Sequence, residues 1–117
     1  MGLTFITTKI INPQKPAKTF SRKFLVDSGI RYSVVDQKIL KKIGVKSTKT
    51  LQFTLPNGET MNKKVGELIF QMKKDRATSP VIFGNDGIFT LGSVTLETFG
   101  FIVDPINRQL RRLPMLI

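Results

Sequence analysis

The chain has 117 residues, with 19 Lys plus Arg against eight Asp plus Glu, a formal charge of +11, 40% hydrophobic and 23% charged residues. That length suits one small core and not two ordinary domains, so residues 1–117 read as a single domain, and the balance of apolar to charged residues excludes a disordered tail or a coiled coil. Cysteine and histidine are both absent, which excludes disulfides, thiolate metal sites, serine triads and nearly every zinc site, and leaves carboxylates as the groups available for acid-base work.

No apolar run approaches the roughly 20 residues that cross a bilayer, and the N-terminus lacks the charged-then-apolar layout of a secretory signal. The expected compartment is therefore the cytoplasm, with no membrane partner. The basic excess invites a nucleic-acid reading. Against it, the cations are scattered in pairs such as Lys41-Lys42, Lys63-Lys64, Lys73-Lys74 and Arg111-Arg112, and the nine Phe and one Tyr fall mostly inside apolar stretches. Nucleic acid is thus an unfavoured partner, and the charge is read as an aid to solubility.

Apolar residues come in short runs rich in β-branched types and Phe, separated by Gly, Pro, Asn and Asp, which predicts a strand-rich domain without internal repeats. Leu3 to Ile11 reads as a strand, Asn12-Pro13 as the start of a polar loop, and Phe20 to Val26 as a second strand ending at Asp27-Ser28-Gly29. Tyr32 to Val35 leads into a two-turn helix over Asp36 to Gly44. Asp36 is suited to cap its first turn, Ile39, Leu40 and Ile43 form one apolar face, and Gly44 permits a left-handed exit.

Lys49 to Leu55 and Thr60 to Lys73 read as strands joined by Pro56-Asn57-Gly58-Glu59, where Asn-Gly is a strong hairpin signal. Lys74 to Ser79 reads as a polar loop, Pro80 to Phe83 as a strand and Gly84 to Gly87 as a turn. Ile88 to Leu91 follows as a brief strand. Ser93 is the expected cap of a short helix over Val94 to Phe99, closed by Gly100. Phe101 to Asp104 and Gln109 to Leu113 complete the set. About eight or nine short strands and two short helices predict an all-β domain folded into a small closed sheet.

An apolar strand delivering Asp-Ser-Gly is a weak pattern alone, because these are ordinary turn residues. Here it has company. The run Phe24-Leu25-Val26-Asp27-Ser28-Gly29-Ile30-Arg31-Tyr32-Ser33-Val34-Val35 resembles the catalytic-loop region of retropepsin-like aspartic proteases. Ser79-Pro80-Val81-Ile82-Phe83-Gly84, and the stretch from Thr90-Leu91-Gly92 through Phe101-Ile102-Val103-Asp104-Pro105, resemble that family's second half, in the same order and spacing. The resemblance spans roughly Leu3 to Pro114 and looks closest to stand-alone prokaryotic members.

The resemblance implies a closed β-barrel that is one half of a C2 dimer, acting as an aspartic endopeptidase on peptide or protein substrates without metal or cofactor. It implies Asp27 as the catalytic carboxylate, Ser28 as a brace between two active-site loops, and Gly29 as the point where backbone passes close to the scissile peptide. Asn57 and Gly58 would tip a flap over substrate, and Arg31, Val34, Ile88 and Thr90 would line its pockets.

The chemistry explains the dimer. Hydrolysis by carboxylates needs one group to take a proton from water and another to give one to the leaving nitrogen. The apolar-strand Asp-Ser-Gly pattern occurs once; Asp86-Gly87 and Asp104-Pro105 do not reproduce it, so the second carboxylate is expected from a second chain.

Two departures stand out. Ile30 replaces the usual Ala beside the catalytic turn, and Arg31 replaces the acidic residue of retroviral members. Arg31 reads as a solvated side chain or as a selector of acidic substrate residues. Two other readings follow: a catalytically silent peptide-binding or dimerisation module with the same fold, and a basic β-domain that binds nucleic acid.

Overall fold

The computed structural model describes residues 3–112. Along the chain these form β1 (Thr4–Asn12), β2 (Lys15–Val26), β3 (Ser33–Asp36), α1 (Gln37–Lys42), β4 (Lys49–Thr54), β5 (Thr60–Met72), β6 (Asp75–Gly84), β7 (Phe89–Leu91), α2 (Ser93–Phe99), β8 (Phe101–Asp104) and β9 (Gln109–Arg112). Leu113, the last residue of the final predicted strand, lies outside the described residues.

Six strands close on themselves in the order β1-β2-β7-β3-β6-β5, and β5 returns to β1 through Lys9↔Gln71, Ile10↔Phe70 and Ile11↔Ile69. Closure removes the open edges that a flat sheet would leave. β4 continues along β5 beyond the barrel, pairing from Lys49↔Val65 to Thr54↔Thr60, so the β4–β5 hairpin projects from the closed sheet. β8 and β9 form a separate two-stranded ribbon. It is fastened by Phe101 stacked on Phe99, whose ring centroids lie 5.4 Å apart, and by Arg112 on Asp75 at 2.7 Å.

The barrel fills with alternate residues of its strands. Ile10, Phe24, Val35, Leu68, Phe70, Val81 and Leu91 are fully buried, each side chain contributing roughly 1.5–3 kcal/mol of transfer free energy. Phe24 meets Phe89 and Phe70 edge-on, at 5.6 and 6.3 Å between ring centroids. This aromatic cluster lies at the end of β2, where Phe24 is three residues before Asp27.

α1 has the predicted grammar. Asp36 accepts the Lys38 N–H at 2.8 Å, Leu40 and Ile43 are buried, and Gly44 takes φ 79° so that its N–H and that of Val45 reach the Lys41 and Leu40 carbonyls. Those two bonds form a Schellman exit. α2 ends as predicted on left-handed Gly100, but it begins differently: Gly92 is its N-cap, no side chain caps it, and Ser93 lies inside the helix. The Ser93 N–H is instead directed to the Ile30 carbonyl.

Two predicted loops are strands. Asn12 Oδ1 accepts the N–H groups of Gln14 and Lys15, folding the supposed loop into a tight turn, and β2 then starts at Lys15 rather than Phe20. The stretch from Lys15 to Thr19 is polar because it is exposed, not because it is irregular. Likewise the predicted loop Lys74 to Ser79 is the first half of β6, paired Met72↔Asp75 to Leu68↔Ser79. Its turn, Lys73-Lys74, lacks glycine, and Lys73 itself adopts φ 56°.

Candidate functional site

Asp27 stands one residue beyond β2. The last β2 residues pair in parallel with β7, Leu25↔Thr90 and Val26↔Leu91, and the Asp27 N–H extends that ladder to the Leu91 carbonyl at 2.9 Å. Asp27 Oδ1 accepts the Gly29 N–H at 2.9 Å, and the Ile30 N–H reaches the Asp27 carbonyl at 3.3 Å. The turn thus holds its own acid. A Cβ on Gly29 would lie 3.1 Å from Asp27 Oδ1, so a larger residue would crowd the carboxylate. Asp27 is half-buried, whereas Ser28 and Gly29 are exposed.

The rest of the loop is laced to the segment after β7. Ser93 donates to the Ile30 carbonyl at 2.8 Å and Val94 to the Arg31 carbonyl at 2.9 Å. Gly92 runs so close that a Cβ there would lie 2.6–2.7 Å from the Tyr32 and Arg31 backbone. Beneath this crossing, Ser33 Oγ accepts the Gly92 N–H at 3.0 Å and bonds Thr95 Oγ1, which in turn bonds Ser79 Oγ at 2.8 Å. All three hydroxyl residues are fully buried. They tie β3, β6 and α2 into one rigid support for the Asp27 loop, since buried polar groups that are all satisfied fix a single arrangement.

The other residues singled out from the sequence fall in four places. Ile88 and Thr90 line a cavity of about 230 Å³ together with Phe5, Arg22 and Leu25, beside the end of β2. Val34 pairs with Thr90 across β3 and β7 and packs on Gly84. The Arg31 side chain is exposed. Asn57 and Gly58 form the tip of the projecting hairpin, where Asn57 Oδ1 accepts the Glu59 N–H and Gly58 takes φ 86°. The hairpin meets the Asp27 loop through Phe53, set edge-on to Tyr32 with centroids 6.0 Å apart.

Most other acids are engaged elsewhere. Asp36 accepts from Lys38 and Gly87, Asp86 pairs with Lys38, Asp75 with Arg112, and Asp104 holds Asn107. The Gly87 N–H, assisted by those of Lys38 and Ile39, keeps the Asp36 carboxyl below the usual aspartate range. Asp104 is lowered by its Asn107 bonds, and Lys38 is raised by Asp86. Among the described residues no cluster of three or more carboxylates is arranged to hold a metal ion.

Ser33, Ser79, Thr95 and Gly92 were not apparent as site residues in the sequence. Their signal is slight: a hydroxyl at one position of an apolar run. Asp36 was legible as a cap, but its second bond, to Gly87, was not.

No protein-family model and no curated protein matches the sequence. Among solved structures, the chain is similar to the solution structure of simian foamy virus (mac) protease. The two share 15% identity, with a TM-score of 0.59, over 80% of this chain and 92% of that one. The chain has a retropepsin-like, all-β fold.

Proposed function

We propose that the protein is an aspartic endopeptidase of the stand-alone retropepsin-like type, in which two copies of Asp27, one from each protomer of a C2 dimer, activate water against a peptide bond. The observation that carries this reading is the setting of Asp27: an acid in a self-bonded Asp-Ser-Gly turn, on a loop fastened at Leu91, Ser93 and Val94. Precise placement of a reacting group is worth several kcal/mol of barrier. A floppy surface turn would not supply it.

Two carboxylates at short range cannot both ionise cheaply, so the pair shares one proton. The ionised member takes a proton from water as its oxygen attacks the carbonyl carbon. The protonated member hydrogen-bonds the carbonyl oxygen, and a proton then passes to the leaving nitrogen as the C–N bond breaks. Ser28 braces the two loops, and the Gly29 backbone passes next to the substrate. Arg31, Val34, Ile88 and Thr90 shape the pockets, and the hairpin tip at Asn57-Gly58 closes over the chain.

A catalytically silent module has one observation in its favour: Ile30 is half-buried directly beside the Asp27 turn. A peptide-library digest with sedimentation of the same preparation separates the two. Cleavage by a dimer, sensitive to pepstatin and abolished in Asp27→Asn, supports the protease. Cleavage that persists in Asp27→Asn overturns the carboxylate mechanism, and a dimer that binds peptides without cutting them establishes the silent module.

A further inference from the structure

A further cavity lies away from Asp27, with no residue of the Asp27-Ser28-Gly29 turn in its lining. It has a volume of about 440 Å³ and is bounded by Gln37, Lys38 and Lys41 of α1, Lys64 of β5, Val45 and Phe83. Lys64 sits opposite Thr50 at the base of the projecting hairpin, so the cavity bridges α1 and the root of the β4–β5 hairpin.

Its chemistry is divided. Val45 is buried and Phe83 half-buried, giving an apolar floor, while three lysines stand at the rim with no acid among the lining residues. The floor is structurally fixed: Gly66 lies under the Phe83 ring, where a Cβ would come within 3.2 Å of its Cε1, and the same Cβ would meet the Lys46 carbonyl at 3.0 Å. Among the described residues Lys38 is the one rim cation with a counter-ion, Asp86 at 2.9 Å, and that pair is exposed. Lys41 and Lys64 take part in no ion pair among the described residues. Their long stems can lie on an apolar occupant while the ammonium groups meet its charges.

The complementary ligand carries carboxylates around one apolar side chain. Phosphate groups fit less well. Lysine meets phosphate only as a point charge, and the groups that add geometric selectivity for it, free N–H groups at a helix start or the Arg fork, are not in the lining: the first-turn Lys38 N–H of α1 is taken by the Asp36 carboxylate, and the rim cations are lysines alone.

We propose that this groove is a docking site for an acidic peptide segment bearing an apolar anchor residue, with the anchor on Phe83 and Val45 and its carboxylates on Lys41, Lys64 and Lys38. It is a binding site separate from the Asp27 turn, and it does not depend on whether Asp27 hydrolyses anything.

The test uses the Asp27→Asn protein, which removes turnover from the measurement. The probe is a fluorescein-labelled 12-residue peptide with glutamates flanking a single leucine, followed by anisotropy. The expected result is saturable binding that weakens about tenfold or more in the folded double variant Lys41→Glu/Lys64→Glu, and also when the leucine of the probe is replaced by serine. Amide shifts on binding are expected at Lys41, Val45, Lys64 and Phe83. Equal affinity for the double variant overturns the proposal, as does equal affinity for an uncharged peptide. Displacement of the probe by single-stranded DNA of the same charge, at the same concentration as by unlabelled peptide, also overturns it and marks a general polyanion surface.

Discussion

Gly87 donates its N–H to Asp36 Oδ2 at 2.9 Å, across 51 positions of sequence, while the other oxygen of the same carboxylate caps α1 through Lys38. One side chain therefore positions both the helix start and the turn that delivers Ile88, whose carbonyl accepts the Asp36 N–H at 2.8 Å. These bonds favour the charged form, so the folded Asp36 titrates below the ordinary 3.8. Its stabilisation is complete at neutral pH, above the unfolded value, and is lost as pH falls through the lower folded value. Asp36→Asn keeps an oxygen for the cap but presents an amide where Gly87 needs an acceptor. We expect a loss of about 1–3 kcal/mol at pH 7 and a gap from wild type that narrows below pH 3.8. Thermal melts at pH 7, 5 and 3 measure it. A gap of constant size would dissociate the Gly87 bond from the carboxylate charge.

Gly92 is held where no side chain fits, 2.6 Å from the Tyr32 carbonyl carbon and 2.7 Å from the Arg31 oxygen when a Cβ is added. Both obstacles are backbone, so they yield only if the Asp27 loop moves. Gly92→Ala should destabilise by about 1–3 kcal/mol or more and abolish the proposed peptidase activity even where folded protein survives. Circular dichroism and a peptide assay on the same sample would distinguish the two effects. Retained activity at wild-type level would show that the loop position is not critical.

Local grammar was legible wherever it was complete in itself. The Asp36 cap and Gly44 exit of α1, the Asn57-Gly58 turn and the Gly100 exit all fall where their chemistry puts them. The early start of β2 was hidden because Lys15 to Thr19 form an exposed strand with no apolar face to announce it. The start of β6 was hidden because Lys73-Lys74 turns the chain without a turn residue. Barrel closure rests on Ile10↔Phe70 and its neighbours, and no periodicity along one strand specifies its partner. The Asp27 turn was readable as a motif. Its buried support, spread over Ser33, Ser79 and Thr95, exists only once three distant segments meet.

The hydroxyl network makes a quantitative prediction. Ser33→Ala leaves the buried Gly92 N–H without its acceptor and should cost about 1–3 kcal/mol. Thr95→Val, which keeps the shape and removes the hydroxyl shared by Ser33 and Ser79, should cost a similar amount. Because Thr95 touches Ser33 directly, the double variant should lose less than the sum, with a coupling of about 0.5–3 kcal/mol. Chemical denaturation of the four proteins gives the cycle. Additive losses would mean that the hydroxyls act independently and do not form one support.

The proposed dimeric mechanism predicts how inactive chains poison active ones. The Asp-Ser-Gly turn occurs once per chain, so a protomer carrying Asp27→Asn can pair with wild type but offers its partner no second carboxylate. With random exchange between equal amounts of the two, about one quarter of dimers contain two Asp27 residues. At fixed wild-type concentration and saturating dimer formation, activity should therefore fall to about half on adding an equal amount of the variant, and continue to fall with more. The control is an equal addition of an unrelated basic protein, which should leave the rate unchanged. At limiting concentration the rate of wild type alone should rise with the square of protomer concentration before becoming linear. A rate strictly proportional to concentration throughout, and indifferent to added Asp27→Asn chains, would mean that each protomer is self-sufficient, and the second acid would then have to be sought within the same chain.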